Sequence, residues 1–464
     1  MNTDPTVFKA YDIRGISPDI INPAFAERLS QAVGHVLKPK HVMVGRDMRS
    51  TSPELEEMLT KSFTDQGINV TKIGLCSTPM FTVNLGLANG KYDLGIMITA
   101  SHNPAEYNGF KLTAGDASPI GQGTGMEEIR DFFITDEEVA SSDTKGTVEE
   151  DPDALKKYLD KIFSLVDLSA LPEMKIAIDT GNGMGGFVLP ELIKRIPQIK
   201  VLPLYWEPDG TFPNHEANPI KLDTLKDLNA LVKKEGCALG VAYDGDCDRI
   251  GFVDENAEFI QPGFIGALIA RQQLEAHPGS RILYDLRGTW SVQEEVEKAG
   301  GSFGITRVGH AFIKKLMREQ DVVFAGELSM HYYYKDLYYL ESGDMAFLSL
   351  LKLIEECSCS VSELWKPLKR YHHSGEINSE VKDRDETLRL IEEKYKEGSS
   401  SISKIDGVWM QFGVSKDGKR GGDAWWFNAR PSNTEPLIRL NVEAKSKKLM
   451  EEKRDELLAF IRST

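Results

Sequence analysis

The sequence predicts an α/β fold. Two observations predict it. Short apolar segments alternate with amphipathic helical patterns almost throughout the 464 residues, and that series restarts more than once along the chain. Alternation of this kind builds parallel-type sheets covered by helices. At ~150 residues per domain the length suits three domains, or four smaller ones.

The elements follow in order. His41-Val42-Met43-Val44-Gly45 reads as a strand leading into a loop. Residues 53–66 carry Leu55, Met58, Leu59 and Phe63 on one helical face. Residues 69–73 form a strand and 92–99 a buried one. The stretch 140–152 is polar, acidic and poor in apolar residues, which marks a boundary. A second series opens with the strand 175–179 and closes with strands at 238–243 and 250–253. A third runs from Pro262 through the strand 281–285 to a helix at 345–355. Beyond Leu368 the character changes. A charged amphipathic helix at 386–395, antiparallel strands at 407–414 and 424–428, and a last helix at 448–461 make an α+β tail. Gly398-Ser399-Ser400-Ser401 is a loop tip, too short to link domains.

Composition narrows the function. Acidic residues outnumber basic ones 71 to 55, a formal net charge of −16. A general nucleic-acid binder needs a basic face, so nucleic acid is not an expected partner. Small anions remain compatible, because a local basic pocket can sit in an acidic surface. No apolar run approaches the ~18 residues of a membrane span. Met1-Asn2-Thr3-Asp4-Pro5 has neither a basic nor an apolar leader region, so no signal peptide is expected. Cys76, Cys237, Cys247, Cys357 and Cys359 are irregularly spaced and form neither a disulfide framework nor a zinc pattern. A reducing cytoplasm is the expected compartment.

Asp244-Gly245-Asp246-Cys247-Asp248-Arg249 lies between two apolar strands. Three carboxylates at i, i+2 and i+4 of an extended loop project to one side, and such oxygens suit a hard divalent cation such as Mg²⁺. An EF-hand is the obvious competitor, since Asp244, Asp246, Asp248 and Glu255 fall at loop positions one, three, five and twelve. It fails because position six must be Gly and here is Arg249, and because the flanks read as strands. An acidic turn facing water would leave three carboxylates crowded together uncompensated. Cys247 alternates away from them and reads as packing.

Thr99-Ala100-Ser101-His102-Asn103-Pro104 follows the buried strand. A serine at a strand end is exposed and suited to covalent chemistry. His102 is its neighbour, and neighbours on an extended strand point to opposite sides, so His102 is not its obvious base. A plain Ser/Asn/Pro turn is the competing reading. Arg430-Pro431-Ser432-Asn433-Thr434-Glu435-Pro436, followed by Arg439, offers guanidinium, hydroxyl and amide donors for a phosphate dianion. Alone, it could equally be a polar turn. Tyr11-Asp12-Ile13-Arg14-Gly15 and Gly45-Arg46-Asp47 are further arginine-bearing loops, and Arg46-Asp47 reads equally well as a structural ion pair. Serine nucleophile, carboxylate loop and arginine loops together make a phosphoryl-transfer set. One segment points elsewhere. Gly181-Asn182-Gly183-Met184-Gly185-Gly186 follows a strand, precedes a helix and has Glu207 downstream, as in a nicotinamide-dependent oxidoreductase. That reading gives no task to the aspartates or the serine, and a tight packing turn explains the glycines as well.

The motifs taken together resemble the α-D-phosphohexomutase family, within it the bacterial phosphomannomutase/phosphoglucomutase group. Lys9-Ala10-Tyr11-Asp12-Ile13-Arg14-Gly15, Thr99-Ala100-Ser101-His102-Asn103-Pro104 with Asn108-Gly109-Phe110-Lys111, and the aspartate loop carry the likeness in the expected order. Gly326-Glu327-Leu328-Ser329-Met330-His331 and Arg430-Pro431-Ser432-Asn433-Thr434 complete it across nearly the whole chain. The resemblance implies four domains around a central cleft: three α/β domains with mixed sheets at 1–147, 148–256 and 257–367, and a smaller α+β domain at 368–464. It implies reversible phosphoryl transfer between O1 and O6 of mannose or glucose phosphate, through phospho-Ser101 and a hexose 1,6-bisphosphate. Mg²⁺ would be held by Asp244, Asp246 and Asp248 with Ser101. Tyr11, Arg14, His102, Lys111, Arg249 and His310 would line the site, with Lys111 and Arg14 as candidates for proton transfer. Glu327 and Ser329 would bind sugar hydroxyls, and Arg430, Ser432, Asn433 and Thr434 the non-reacting phosphate. Two departures stand out. Arg287 replaces the family's usual Lys; it keeps the charge but is a poor acid or base. Met330 replaces a Gly and bears on sugar preference. A phosphoglucosamine mutase is the near alternative, the oxidoreductase and a non-catalytic sugar-phosphate binder the distant ones. Expected partners are hexose phosphates, not membranes, with the chain a monomer or small homo-oligomer.

Overall fold

A computed structural model of the chain describes residues 4–432 and 437–464. Two compact units emerge. One comprises the chain up to Ile260 with Gly309–Phe324 and Ser329–Leu364; the other is Gln261–Val308, Ala325–Leu328 and Trp365–Thr464.

The first unit contains two mixed sheets. In one the strand order is Ile13–Ile16, Tyr107–Ala114, Leu94–Ile98, His41–Arg46, Asn69–Leu75, Val148–Glu150, with Pro119–Ile120 beside Tyr107–Ala114. Its centre is parallel, as the β-α-β alternation predicts. Tyr107–Ala114 runs antiparallel to its neighbours, because a short connection returns the chain directly beside Leu94–Ile98. All five residues of Leu94–Ile98 are buried, which is why that strand reads as unbroken apolar sequence. The helix Pro23–Leu37 starts at an Asn22 cap with Pro23 in its first turn and ends at Lys38 in the left-handed conformation. Its Phe25, Leu29 and Val33 join Leu55, Leu59 and Phe63 of Ser52–Asp65 in the core.

The second sheet runs Phe259–Ile260, Ile250–Asp254, Leu239–Tyr243, Met174–Asp179, Ile199–Leu204. Leu239–Tyr243 is parallel to Met174–Asp179 and antiparallel to Ile250–Asp254. The aspartate loop is therefore the turn between two fully buried strands. Purely parallel sheets, the simplest outcome of strand–helix alternation, are replaced by mixed ones wherever a hairpin closes the series.

In the second unit, Arg281–Asp285 and Ser302–Thr306 pair in parallel, with Pro262–Ala276 and Trp290–Lys298 as helices. The tail folds as an antiparallel sheet ordered His372–His373, Leu437–Ala444, Arg420–Pro431, Val408–Val414, Ser401–Ser403, with Ile377–Glu380 also paired to Leu437–Ala444. Phe427, Leu440 and Val442 of this sheet pack on Leu457 and Ile461 of the helix Lys447–Ser463.

One cysteine pair departs from expectation. Cys357 and Cys359 are joined in a disulfide, with Cα atoms 5.1 Å apart. The helix Gly343–Cys357 ends with Ser358 in the left-handed conformation, which turns the chain back on itself at this C-x-C. Among the described residues no helix is long and apolar enough to cross a membrane.

Candidate active site

The Ser101 loop is built from buried hydrogen bonds. Ser101 N–H donates to Thr99 Oγ1 at 2.9 Å. Arg49, itself only 1% exposed, donates to the carbonyls of Ser101, Asn103, Pro104 and Tyr107 at 2.9, 2.6, 2.7 and 2.9 Å. One guanidinium thus fixes four carbonyls of an irregular loop, with Asp47 3.3 Å away balancing its charge. Two expectations are corrected here. Ser101 is not exposed but 1% accessible. Nor does His102 point away from it, because Ser101 takes a left-handed φ of 50°, not an extended one. The Ser101 hydroxyl consequently lies 3.2 Å from His102 Nδ1 and donates to Asp244 Oδ2 at 3.1 Å. Arg14 joins the loop from the strand Ile13–Ile16. Its Nη1 donates to Asn103 Oδ1 at 2.7 Å, and its Nε to Asp12 at 2.7 Å.

Asp244, Asp246 and Asp248 are all buried, and their nearest carboxylate oxygens lie within 4.8 Å of one another. Gly245 lets the serine loop approach: a Cβ there would sit 2.5 Å from the Ser101 carbonyl. Lys111 Nζ bridges Asp246 and Asp248 at 2.7 and 2.6 Å. Burial alone would push this ammonium down, but Asp246 and Asp248 hold its pKa above the ordinary value. Burial, then Asp248 and Asp246, push the Asp244 carboxyl well above the usual range. Thr78 donates through Oγ1 to Asp246 Oδ2 at 2.6 Å and through its N–H to the Asp246 carbonyl at 3.0 Å. Asp246 Oδ1 is buried and has no hydrogen-bond partner among the described residues. An all-oxygen triad with such an unused oxygen fits a hard divalent cation.

The glycine segment supports this loop. Met184 N–H donates to the Gly245 carbonyl at 2.8 Å, and a Cβ on Gly183 would meet that carbonyl at 2.8 Å. A Cβ on Gly186 would lie 1.7 Å from the Trp206 carbonyl. The space beside these glycines is filled by protein backbone, as in a packing turn.

Arg249 Nε donates to His331 Nε2 at 3.2 Å, and His331 Nδ1 is 3.3 Å from Ser329 Oγ. The His310 ring stands edge-on to Tyr11, centroids 4.7 Å apart. Both its ring nitrogens are buried without a hydrogen-bond partner among the described residues. Burial, then Lys314 and Lys111, push its pKa well down, so the ring is neutral. Burial, then Arg249 and Arg14, do the same to His102.

The other unit holds a second group. Asp285 accepts from Arg287 Nε at 3.0 Å and Nη2 at 2.8 Å, a two-pronged pair, and from Leu328 N–H at 2.7 Å. It thereby fixes both Arg287 and the buried Glu327 segment. Glu376 meets Arg287, Arg430 and Arg439. Ser432 is buried, with its Oγ 3.4 Å from Arg439 Nη2. Asn433 and Thr434 lie outside the described residues.

Descriptions of the phosphoglucomutase/phosphomannomutase family match along the chain: alpha/beta/alpha domain I over residues 5–140, domain II over 156–258, domain III over 261–371 and the C-terminal domain over 376–460. The chain belongs to this family. It is 39% identical over 462 residues to a phosphomannomutase of Methanocaldococcus jannaschii, covering 99% of this chain and 98% of the relative. It is 34% identical to a phosphomannomutase of Escherichia coli, covering 98% and 99%. The crystal structure of a phosphoglucomutase/phosphomannomutase family protein from Burkholderia thailandensis superposes with a TM-score of 0.88 at 28% identity, covering 99% and 98%. The fold is the four-domain phosphohexomutase architecture, and the chain is an enzyme of the hexose-phosphate mutase type.

Within this phosphohexomutase the expected residues fall into two groups. Tyr11, Arg14, Ser101, His102, Lys111, Asp244, Asp246, Asp248, Arg249, His310 and Ser329 belong to the first unit, and Arg287, Glu327, Arg430 and Ser432 to the second. Arg49, Thr78 and Glu376 escaped sequence reasoning. Only Thr78 carries a local signal, since Ser77-Thr78-Pro79 is a helix start and Ser77 caps Thr78–Leu87. Met330 shows why its position favours Gly: its φ is 71°. Its side chain is 2% exposed, and a Cβ on Gly251 would lie 3.3 Å from its sulfur. Met330→Gly should therefore lower the thermal midpoint. Loss of the buried thioether side chain costs about 2–5 kcal/mol, against about 1 kcal/mol regained from the left-handed backbone. Thermal denaturation monitored by circular dichroism checks it.

Proposed function

We propose that this enzyme interconverts the 1- and 6-phosphates of a hexose, mannose or glucose, through phospho-Ser101 and a hexose 1,6-bisphosphate. The observation that carries the reading is the convergence of the Ser101 hydroxyl and the Lys111 ammonium on one buried aspartate triad. Phosphoryl transfer needs positioning and charge neutralisation, and this set offers both. When bound by Asp244, Asp246 and Asp248 with the Ser101 oxygen, Mg²⁺ would neutralise charge on the transferring group.

In the forward direction the bond between phosphorus and Ser101 Oγ breaks, and a bond to the free sugar hydroxyl forms. Ser101 Oγ gains a proton, and the sugar hydroxyl loses one. Lys111, held as an ammonium between Asp246 and Asp248, relays that proton: it gives one to Oγ and takes back the one the sugar hydroxyl loses, ending as an ammonium again; Arg14 holds the serine loop through Asn103. Arg249 adds positive charge beside the triad, 3.9 Å from Asp244. The neutral His310, with both ring nitrogens unused, hydrogen-bonds a sugar hydroxyl. Glu327 and Ser329 take further hydroxyls, and Arg430 with Ser432 binds the phosphate that is not reacting. In the second half, dephosphorylated Ser101 accepts the other phosphoryl group from the bisphosphate. The test is to treat the dephosphorylated protein with glucose 1,6-bisphosphate and map the product by mass spectrometry. A phosphoryl group on the peptide containing Ser101 supports the reading, and an unmodified Ser101 peptide contradicts it.

A further inference from the structure

Three arginines of the second unit, Arg287, Arg430 and Arg439, are arranged around a carboxylate that the proposed reaction does not use. Arg430 and Arg439 stand directly opposite each other on the antiparallel strands Arg420–Pro431 and Leu437–Ala444. Like charges in that register repel unless an anion joins them. Glu376, immediately before the strand Ile377–Glu380, is that anion. Its Oε2 accepts from Arg430 Nη2 at 2.9 Å and Arg287 Nη1 at 3.3 Å, and its Oε1 accepts from Arg439 Nη1 at 3.3 Å. Asp285 is engaged by Arg287 and Leu328, so among the described residues Glu376 is the carboxylate paired with Arg430 and Arg439. Burial would push the Glu376 carboxyl up, yet Arg287, Arg430 and Arg439 outweigh it and bring it down to about 2. It is ionised at neutral pH. Arg430 Nε and Arg439 Nε are buried without a partner among the described residues, so the cluster keeps donors for a second anion.

We propose that Glu376 is a positioning residue that occupies the N–H groups of Arg287, Arg430 and Arg439 while no phosphate is bound and competes with the sugar phosphate for them. The inference rests on the reading of Arg430 and Ser432 as the phosphate-binding pair. Arg439 already reaches Ser432 at 3.4 Å, so a phosphate dianion bound at Ser432 draws on arms that Glu376 holds. A bisphosphate intermediate that exchanges its two phosphates must let go of this site in every turnover. An internal carboxylate that takes the guanidinium contacts back lowers the cost of that release, at the expense of affinity.

The experiment is steady-state kinetics of the full chain with glucose 1-phosphate, alongside competition by inorganic phosphate. Glu376→Gln removes the charge and keeps the shape. Its KM for glucose 1-phosphate is expected to fall about 5-fold or more, the lower end of ordinary coupling between interacting sites. Inorganic phosphate should inhibit it at correspondingly lower concentration, and kcat should fall as release slows. A KM equal to or above the parent's overturns the proposal, because a purely structural Glu376 would lose phosphate affinity when removed. Should Glu376→Gln fail to fold, Glu376→Asp draws the carboxylate back by one methylene. A KM below the parent's then supports the proposal, and one at or above it overturns it. Arg430→Gln separates the two readings. An unchanged KM in that variant removes the phosphate-site reading itself, whereas a raised KM leaves only the role of Glu376 to be judged.

Discussion

Ser101→Ala is expected to lose at least about a thousand-fold in kcat for hexose 1-phosphate conversion, roughly 4 kcal/mol of lost transition-state stabilisation. The loss follows from chemistry, because alanine offers no oxygen to carry a phosphoryl group. The surroundings should survive. Ser101 occupies a left-handed φ of 50°, but the loop is held by Arg49 through four carbonyls, not by the serine hydroxyl. The variant should therefore melt within a degree or two of the parent, and the thermal midpoint and the rate should be measured on one preparation. A Ser101→Ala enzyme turning over at the parental rate would remove the phosphoserine route.

The second large effect concerns the aspartates. Stripping divalent cations with a chelator should reduce turnover about a hundred-fold or more, and added Mg²⁺ should restore it; Lewis-acid charge stabilisation is worth several kcal/mol, and each 1.36 kcal/mol is tenfold in rate. Asp244→Asn should lose activity in the same range and need far more Mg²⁺ to recover. Its metal-free stability should move the other way. Asp244 is fully buried beside two further carboxylates, whereas Lys111 is paired with Asp246 and Asp248 only. A neutral isostere removes repulsion there and still accepts from Arg249 N–H, a bond of 3.1 Å to Asp244 Oδ1. The metal-free variant should melt no lower than the metal-free parent. Activity unchanged by chelation and by Asp244→Asn would remove the metal reading.

What the sequence reveals here depends on how local the cause is. Asp244, Asp246 and Asp248 do come together as their spacing suggests, but through a tight turn and not an extended loop, since Cys247 N–H donates to the Asp244 carbonyl at 3.3 Å and Cys247 takes a left-handed φ of 65°; the buried flanking strands are legible as apolar runs. The tail strands expected at 407–414 and 424–428 and the helices expected at 386–395 and 448–461 fall where their periodicity places them, whereas the central strand Leu437–Ala444 has no such signal. Ser101 is different. Its burial and its contact with His102 depend on one left-handed residue, which nothing in Thr99-Ala100-Ser101-His102 dictates. Lys111 compensates aspartates about 135 residues away along the chain, so crowding of charge could be inferred but not its relief. Arg49 and Glu376 lie outside any recognisable motif, and their partners are brought together only by sheet register and loop return. The glycine segment misleads for the same reason. Its glycines answer to the carbonyls of Trp206 and Gly245, which only the folded chain supplies.

The central claim is that this phosphohexomutase moves phosphate between O1 and O6 of mannose or glucose. Phosphorus NMR of glucose 1-phosphate and mannose 1-phosphate, each incubated with the enzyme, Mg²⁺ and a trace of glucose 1,6-bisphosphate, tests it most directly. The account predicts that the 1-phosphate resonance of at least one sugar is replaced by that of its 6-phosphate. Both 1-phosphates remaining unchanged, with enzyme shown to carry phosphate on Ser101, would contradict it.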